Sequence, residues 1–270
     1  MFCAVSDTTN SALKAGSLIA DGRVAKGGTT CVMHAQELCL KHALGVAIRK
    51  QNHVVVDEFP IGKTLRDNCK VLASKLTDKK VKARWVEAVK ISKDTWDVEP
   101  TKLCVPNDTQ ISGTFLLFQS ILRSKNLISV LKGHTKYWDV YVDYLLNKEQ
   151  YNLVAEFTAV MIQTNHLAVA SQTEEPGEVA FSWFGISMAR LRFKDRNKPY
   201  VVVDTTQSWP PNKSFEDLPV AKIPYDLLQE ETKTFIQRLI NEFDKYFPAP
   251  DSDQVIAMIL HPIIRGRCLK

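Results

Sequence analysis

A cysteine and a histidine, three residues apart, are the first side chains whose types and spacing could do chemistry. The segment Cys31-Val-Met-His34 follows a glycine break and continues through Leu38 and His42. On an α-helix, residues three or four positions apart share a face, so these side chains would lie in one row. Thiolates and imidazoles bind zinc, but a closed zinc site needs four tetrahedral ligands, which one short helix does not easily supply. Cys31 and His34 are therefore predicted to pack and hydrogen-bond at the start of a helix.

An aspartate upstream of this pair is a candidate catalytic residue. The apolar run at residues 2–5 predicts a strand, and Asp7 would stand at its carboxyl end, where α/β folds place many functional groups. Asn10 follows three residues later, and this polar stretch also suits a turn or the cap of a helix predicted over residues 11–20. The local pattern therefore leaves two roles open for Asp7, a catalytic carboxylate or a turn and capping residue.

Two basic segments could contact phosphate groups. The denser one holds Lys79, Lys80, Lys82, Arg84 and Trp85. Arginine offers a fork for phosphate and tryptophan a flat surface on which a displaced base can stack, so Arg84 and Trp85 are candidate DNA-binding residues. A solvated turn between helices would produce the same lysine run. The second basic segment covers residues 190–198.

The composition limits the classes of protein to which this chain can belong. It has 270 residues, of which 45% are hydrophobic, so a large core can be buried. The net charge of +5 is compatible with nucleic-acid binding without requiring it. The six cysteines include no C-x-x-C pair, and neither a signal peptide nor a membrane-spanning run is visible. These features predict an intracellular protein in a reducing compartment, with no membrane partner.

Hydrophobic spacing predicts a series of amphipathic helices after the first strands. An apolar run covers residues 54–56 and ends at Asp57, and a second apolar run, capped by Asp204, predicts a turn. Met188 and Leu191 belong to one of the helical stripes, which predict core contacts rather than a cofactor site. Prolines predict an extended loop near residues 205–224. Helices are expected over residues 31–44, 63–76, 115–122, 138–145, 153–168, 180–191 and 225–247.

In their order along the chain, these motifs resemble those of the hAT superfamily of DNA transposases. No G-x-S-x-G elbow, P-loop or H-E-x-x-H motif points to another class of enzyme. Asp7-Thr-Thr-Asn10 is similar to the family's second catalytic aspartate segment, and Cys31-Val-Met-His34 to its C-x-x-H helix. Arg84-Trp85 is similar to its Arg-Trp motif, and residues 255–262 to a degenerate form of the Leu-Asp-Pro-Arg segment that closes its helical region. The resemblance covers nearly all of the chain.

The resemblance implies a fold and an activity. The fold would be mostly α, with residues 1–30 as a short α/β remnant of an RNase H-like core and residues 31–270 as an all-helical insertion domain. The proline-rich loop near residues 205–224 would belong to that insertion. The family's chemistry is hydrolysis and strand transfer at DNA phosphodiesters, with two aspartates and a glutamate that hold magnesium ions. In this family the tryptophan after the arginine handles a flipped base, and the implied location is nuclear or intracellular.

The departures from the family pattern predict a catalytically incomplete chain. The family's first aspartate would precede residue 1 and its glutamate would follow residue 270, so Asp7 is the remaining carboxylate of the triad. Asp7 would hold metal only if the missing carboxylates were supplied, and no cofactor is expected for the isolated chain. The family's dimerisation segment is missing, although self-association is still possible. The alternative is a helical DNA- or protein-binding module without enzymatic activity, and a third reading is a remnant without a selected function.

Overall fold

The chain is mostly helical. Seven α-helices and three two-stranded sheets lie within the described residues, which confirms the predicted mostly α fold. The RNase H-like remnant at residues 1–30 stays a prediction, because only its two short strands are described. The computed structural model describes residues 4–6, 28–30, 32–47, 49–51, 54–77, 86, 90, 103–104, 113–134, 144–170, 178–210, 213–247, 255–256 and 259.

The helices and strands alternate unevenly along the chain. The second helix begins at Pro60. Proline suits the first position of a helix, because its fixed φ is already helical and its missing N–H is not needed there. The helices are α1 (Val32–Ala43), α2 (Pro60–Thr77), α3 (Gly113–Arg123), α4 (Lys125–His134), α5 (Lys148–Ala170), α6 (Glu178–Lys194) and α7 (Glu230–Tyr246). The strands are β1 (Ala4–Ser6), β2 (Gly28–Thr30), β3 (Arg49–Gln51), β4 (Val54–Asp57), β5 (Tyr200–Val203) and β6 (Val220–Ile223), and a 3-10 helix covers Tyr225–Leu227.

Strands β1 and β2 form a parallel pair. Ala4 pairs with Gly28 and Ser6 with Thr30, so the two strands end side by side. Parallel neighbours need a crossover of about a dozen residues or more, and the sequence between these strands is long enough to provide one. The strand predicted over residues 2–5 is thus present, shifted by one residue at its carboxyl end.

Helix α5 is the centre of the helical packing. It contacts α1, α3, α6, α7 and the hairpin strand β5. The predicted apolar stripe is buried as far as its side chains are described, and its buried members include Leu153, Phe157 and Met161. The Phe157 ring lies 4.6 Å from the ring of Phe235 on α7. A helix surrounded on so many sides is buried around most of its circumference, which is why α5 carries few charged residues along its middle.

A buried carboxylate on α5 holds the start of α7. Gln229 is the N-cap residue of α7 but makes no side-chain capping bond of its own. Glu156 instead accepts hydrogen bonds from the Gln229 backbone N–H, at 3.1 Å, and from the Thr232 hydroxyl, at 2.5 Å. Helix N-termini leave N–H groups without intrahelical partners and attract negative charge. The Glu156 carboxylate satisfies both needs from a neighbouring helix.

The end of α1 is fixed by a glycine turn. The Gly45 N–H donates to the His42 carbonyl at 3.0 Å, and the Val46 N–H donates to the Lys41 carbonyl at 2.8 Å. This pair of bonds is the Schellman arrangement, which requires a left-handed residue after the helix. Gly45 supplies it, with φ of +73°. The predicted helix over residues 31–44 therefore ends where the glycine allows the chain to reverse.

Helix α7 also holds the carboxyl end of α1. Arg238 donates from Nε to the Ala43 carbonyl, at 2.9 Å, and from Nη2 to the His42 carbonyl, at 2.7 Å. Its guanidinium lies 5.5 Å from the centre of the Phe59 ring. The last carbonyls of a helix lack intrahelical donors and carry partial negative charge, so a cation there is stabilising. The α1–α7 contact thus combines packing with capping.

The apolar stripe predicted along α6 is partly wrong. Met188 and Leu191 were expected in the core, but both side chains are exposed. The buried face instead contains Ile186, Ala189 and Phe193. Both sets have helical spacing, and the packing of α6 between α5 and α7 selects one of them. Hydrophobic spacing alone did not show which of two adjacent stripes faces those helices.

Residues 31–270 were expected to be all-helical, but they contain strands. Strands β3 and β4 form one antiparallel hairpin and β5 and β6 form another, so residues 31–270 are mostly rather than entirely helical. The proline-rich loop predicted near residues 205–224 is shorter than expected, because β6 occupies its end. Helix α7 begins at Glu230, after the 3-10 turn, rather than at residue 225. Most of the helix predicted over residues 138–145 lies outside the described residues.

We expect Gly45→Ala to lower the free energy of unfolding by about 2 kcal/mol. Alanine would be held in the left-handed region, and a Cβ at this position would lie 2.5 Å from the Phe59 carbonyl oxygen. Chemical denaturation followed by circular dichroism measures the loss.

Lys75→Ala, on the exposed side of α2, is the control and should change the free energy of unfolding by less than about 0.5 kcal/mol. A Gly45→Ala variant as stable as this control would contradict the glycine turn.

Candidate functional site

Most of the residues singled out from the sequence are not described by the structure. His34 lies in α1, as predicted, and only its backbone is described. Two others, Asp7 and Cys31, directly follow the strand ends Ser6 and Thr30 in the sequence. The roles assigned to these residues stay predictions. Those outside the described residues are Asp7, Asn10, Cys31, Lys79, Lys80, Lys82, Arg84 and Trp85.

The titratable side chains in the described part of the chain offer no obvious reaction centre. No three of its histidine, cysteine, aspartate or glutamate side chains are grouped so as to hold a metal ion. Cys69 is buried, and burial raises the pKa of its thiol far above the ordinary value. The thiolate is the reactive form of cysteine, so this thiol is a poor nucleophile. The remaining candidates for a functional site among the described residues are binding surfaces.

The basic segment at residues 190–198 is partly neutralised within the fold. Arg190 contacts the Asp244 carboxylate at 2.5 Å and Lys194 contacts it at 3.2 Å. Burial raises the pKa of Asp244, but hydrogen bonds from Lys194 and Arg190 outweigh it and hold that pKa below its ordinary value. Arg190 also donates to the Phe247 carbonyl, at 2.9 Å. Two of the cations counted in the sequence thus have an anionic partner on α7.

Two further cations of this segment stack on tyrosines. The Arg192 guanidinium lies 3.9 Å from the centre of the Tyr200 ring, and that of Arg196 lies 4.9 Å from the centre of the Tyr225 ring. Stacking orients a guanidinium without neutralising its charge. Arg196 and Lys198 are exposed and keep their charge at the surface. Both of these exposed cations lie on the turn between α6 and β5, which also carries the exposed Asp195.

A cleft of about 650 Å³ opens between α3, α5, α6 and the β5–β6 hairpin. Its apolar lining includes Leu116 from α3 and Met188 from α6. Val201 and Val220 line it from the two strands. Val220 pairs with Val203, and residues two apart on a strand share a face, so the register puts both valines on the cleft side. The volume lies within the range of about 300–1,000 Å³ that is typical of ligand sites.

Charged residues line two sides of the cleft. Arg192 and Lys198 come from the end of α6 and the turn before β5, and Glu216 comes from the loop between β5 and β6. Arg192 is held in place by its stack on Tyr200 and by bonds to the Pro199 carbonyl, at 3.1 Å, and the Asp195 carbonyl, at 3.3 Å. The cleft therefore combines an apolar lining with a fixed cation.

The loop between β5 and β6 forms one wall of the cleft and is anchored by a tryptophan. Phe215 of this loop packs edge-on against Phe115, with 6.4 Å between ring centres. Trp209 is buried, and its indole N–H donates to the Arg123 carbonyl at 3.1 Å. Asn126 donates its side-chain amide to the Trp209 carbonyl at 2.7 Å. The junction of α3 and α4 thus holds the loop at its middle.

A lysine secures the beginning of the same loop. Lys125 donates from Nζ to the Thr205 carbonyl and, at 3.3 Å, to the Gln207 carbonyl. Burial lowers the pKa of Lys125, and the nearby Asp204 carboxylate raises it in part. The Asp204 carboxylate accepts a bond from the Thr206 hydroxyl, at 2.6 Å, and another from the Gln207 amide, at 2.7 Å. The turn predicted at Asp204 is therefore confirmed.

The cleft was not anticipated from the sequence. Met188 was assigned to the core, and Val201 and Val220 were part of an apolar run and of an expected loop. Its lining comes from four stretches of the chain, within residues 115–119, 159–165, 188–203 and 215–220, and no local pattern brings them together. One sequence feature could have indicated the cleft. Helix α6 has a second apolar stripe, with Met188 and Leu191, although a helix with one buried face needs only one such stripe.

We expect Trp209→Phe to lower the free energy of unfolding by about 1–3 kcal/mol, because the Arg123 carbonyl would lose its buried donor. Hydrogen exchange of residues 204–218 should accelerate more than that of α5. Ser208→Ala, an exposed neighbour, is the control and should leave both measurements unchanged. Equal exchange of the loop in the two variants would contradict its anchoring by Trp209.

Comparisons with known proteins do not assign a family to this chain. No family model matches the sequence, and neither a curated protein nor a solved structure matches it. None of the described helices combines the length and the apolar character that a bilayer span requires.

Proposed function

We propose that this chain is a transposase-derived helical module of hAT type that does not cleave DNA by itself. The observation that carries the proposal is the parallel register of β1 and β2, in which Ser6 pairs with Thr30. Asp7 and Cys31, the first residues of the two motifs, follow these strand ends directly in the sequence. A parallel pair leading into α1 and then into a helical bundle is the order of elements that the resemblance implies.

The lack of activity follows from the number of carboxylates. Two-metal hydrolysis of a phosphodiester needs several carboxylates around ions that lie about 4 Å apart. Asp7 is the one residue of these 270 to which the resemblance assigns such a role. Asp7 lies outside the described residues, so its part in the magnesium site that the resemblance implies stays a prediction. A longer protein could supply the other carboxylates, and the proposal concerns these residues alone.

DNA binding without cleavage is the second candidate function. The exposed Arg196 and Lys198 on the turn after α6 favour it, since neither makes an ion pair within the part of the chain that the structure describes. Arginine and lysine bind phosphate by releasing counterions, which makes affinity fall with added salt. The lysines at positions 79, 80 and 82 would add to this surface if their predicted role holds.

We expect the isolated chain to show no magnesium-dependent cleavage or strand transfer on a supercoiled plasmid. The physical reason is the missing carboxylates, and gel electrophoresis of the plasmid after incubation with Mg²⁺ measures the outcome.

Asp7→Ala and Asp57→Ala form the matched pair for this assay, because each removes an aspartate that follows a short valine-containing strand or apolar run. Cleavage that disappears with Asp7→Ala and persists with Asp57→Ala would overturn the proposal. Cleavage that persists in both variants would come from a contaminating nuclease.

We expect Asp244→Asn to tighten DNA binding by about three- to tenfold at low salt. The substitution releases Arg190 and Lys194 from their shared carboxylate, so two more cations can meet phosphates. Fluorescence anisotropy with a labelled duplex, repeated over a salt series, should also give a steeper dependence of affinity on salt.

Glu149→Gln is the control for this prediction. It changes the net charge by the same amount at an exposed position at the start of α5, where no ion pair is described. Equal effects of the two substitutions would mean that overall charge, rather than the freed cations, sets the affinity. No binding by the wild-type chain at low salt would remove DNA binding as a function.

A further inference from the structure

The cleft between α3, α5, α6 and the β5–β6 hairpin is lined by apolar side chains that are exposed to solvent rather than buried in the core. Leu116, Met188, Val201 and Val220 all line it, and their side chains are between 40% and 55% exposed. They come from four different elements and converge on one place. Single exposed apolar residues are ordinary, but a contiguous patch on this scale usually marks a binding surface.

Two polar side chains of the cleft, Asn165 and Arg192, have hydrogen-bonding groups without a partner in the described structure. The Asn165 side-chain oxygen is buried and has no hydrogen-bond partner within the described structure, although Asn165 lines the cleft. A buried acceptor of this kind normally has a donor. Arg192 uses two of its N–H groups on backbone carbonyls and keeps the others for a ligand. The cleft thus offers an acceptor without a donor and a cation with donors to spare.

The charges of the cleft favour an acidic ligand. Arg192 and Lys198 face one acidic residue, Glu216, which belongs to the opposite wall. Arg192 is pre-organised by its stack on Tyr200, so little side-chain freedom is lost when it binds a carboxylate. Nucleic acid would bring negative charge as well, and its phosphates would meet the same two cations, but the exposed apolar side chains of the lining would face a charged backbone. The combination suits an apolar ligand with a neighbouring carboxylate.

We propose that this cleft binds an extended peptide segment of a partner protein, with aliphatic side chains next to an aspartate or glutamate. The aliphatic side chains lie against Met188, Val201 and Val220, and the acidic side chain meets Arg192 and Lys198. A backbone N–H of the peptide donates to the Asn165 oxygen. This inference is independent of the transposase-derived origin, because it does not use Asp7. It shares Lys198 with the proposed DNA-binding surface, and the apolar positions Met188 and Val201 distinguish the two ligands.

The exposed position of Met188 allows a direct test with a matched control. Met188→Lys puts a charge in the cleft, whereas Leu191→Lys puts the same charge on an exposed apolar position of the same helix that does not line the cleft. A random-peptide display library is selected on the full chain, and the enriched peptide is synthesised with a fluorescent label. Its dissociation constant is then measured by polarisation for each variant, with circular dichroism as the check on folding.

Enriched peptides should combine aliphatic and acidic residues. Met188→Lys should weaken their binding by about tenfold or more, and Lys198→Glu should do the same, while Leu191→Lys leaves it unchanged. Val201→Lys repeats the test from the strand side if Met188→Lys unfolds the chain.

Four results would overturn the inference. The first is a library that yields no peptide with aliphatic and acidic residues. The second is a peptide whose binding is insensitive to both Met188→Lys and Val201→Lys. The third is a wild-type chain that dimerises in sedimentation analysis and becomes monomeric with Met188→Lys, because a second copy would then be the occupant. DNA that binds the wild-type chain and is lost with Val201→Lys would likewise assign the cleft to nucleic acid.

Discussion

The bond between the Glu156 carboxylate and the start of α7 is the contact on which the helical packing depends. A carboxylate removed from water is costly unless its oxygens accept hydrogen bonds, and here they accept from the Gln229 backbone and the Thr232 hydroxyl. This contact fixes α7 against α5 beside the Phe157–Phe235 pair. Burial of rings alone would let the helices slide, whereas a directional bond at a helix end sets their relative register.

From this fixed position, α7 organises the elements around it. Arg238 caps the carboxyl end of α1, and Asp244 binds Arg190 and Lys194 at the end of α6. The same helix therefore connects the segment after the parallel strands to the segment before the β5–β6 hairpin. The cations of α6 take part in the fold as well as in the surface charge, so the density of basic residues in the sequence overstates the charge available to a ligand.

The opposite side of α5 has a different character. The loop that carries Phe215 is held by Trp209 and Lys125 at the α3–α4 junction, and this leaves a cleft rather than a closed core. The walls are rigidly supported, while their apolar side chains stay open to solvent. Supported walls with exposed apolar residues are what a preformed binding site needs, because little ordering is required when the ligand arrives.

The sequence by itself determined the type of most elements. Helical spacing predicted both ends of α1, α2, α3 and α6 to within three residues, and it predicted α5 and α7 with starts five residues from the described ones, since burial of one face imposes a period that local residues record. The turn at Asp204 was likewise a local feature. Of the residues predicted at the catalytic aspartate, C-x-x-H and Arg-Trp motifs, His34 alone is described, and its helix is the one the sequence indicated. The second basic segment, residues 190–198, is also described.

Only the tertiary structure decided which faces are buried and which charges are free. Met188 and Ile186 are both apolar residues of α6, and it is the packing of α6 against α5 and α7 that buries Ile186 and exposes Met188. The strand β6 depends on pairing with β5, so its own residues read as part of a loop. The cleft, the neutralisation of Lys194 and the carboxylate cap on α7 join residues far apart in the chain, and such contacts leave no pattern in the local sequence.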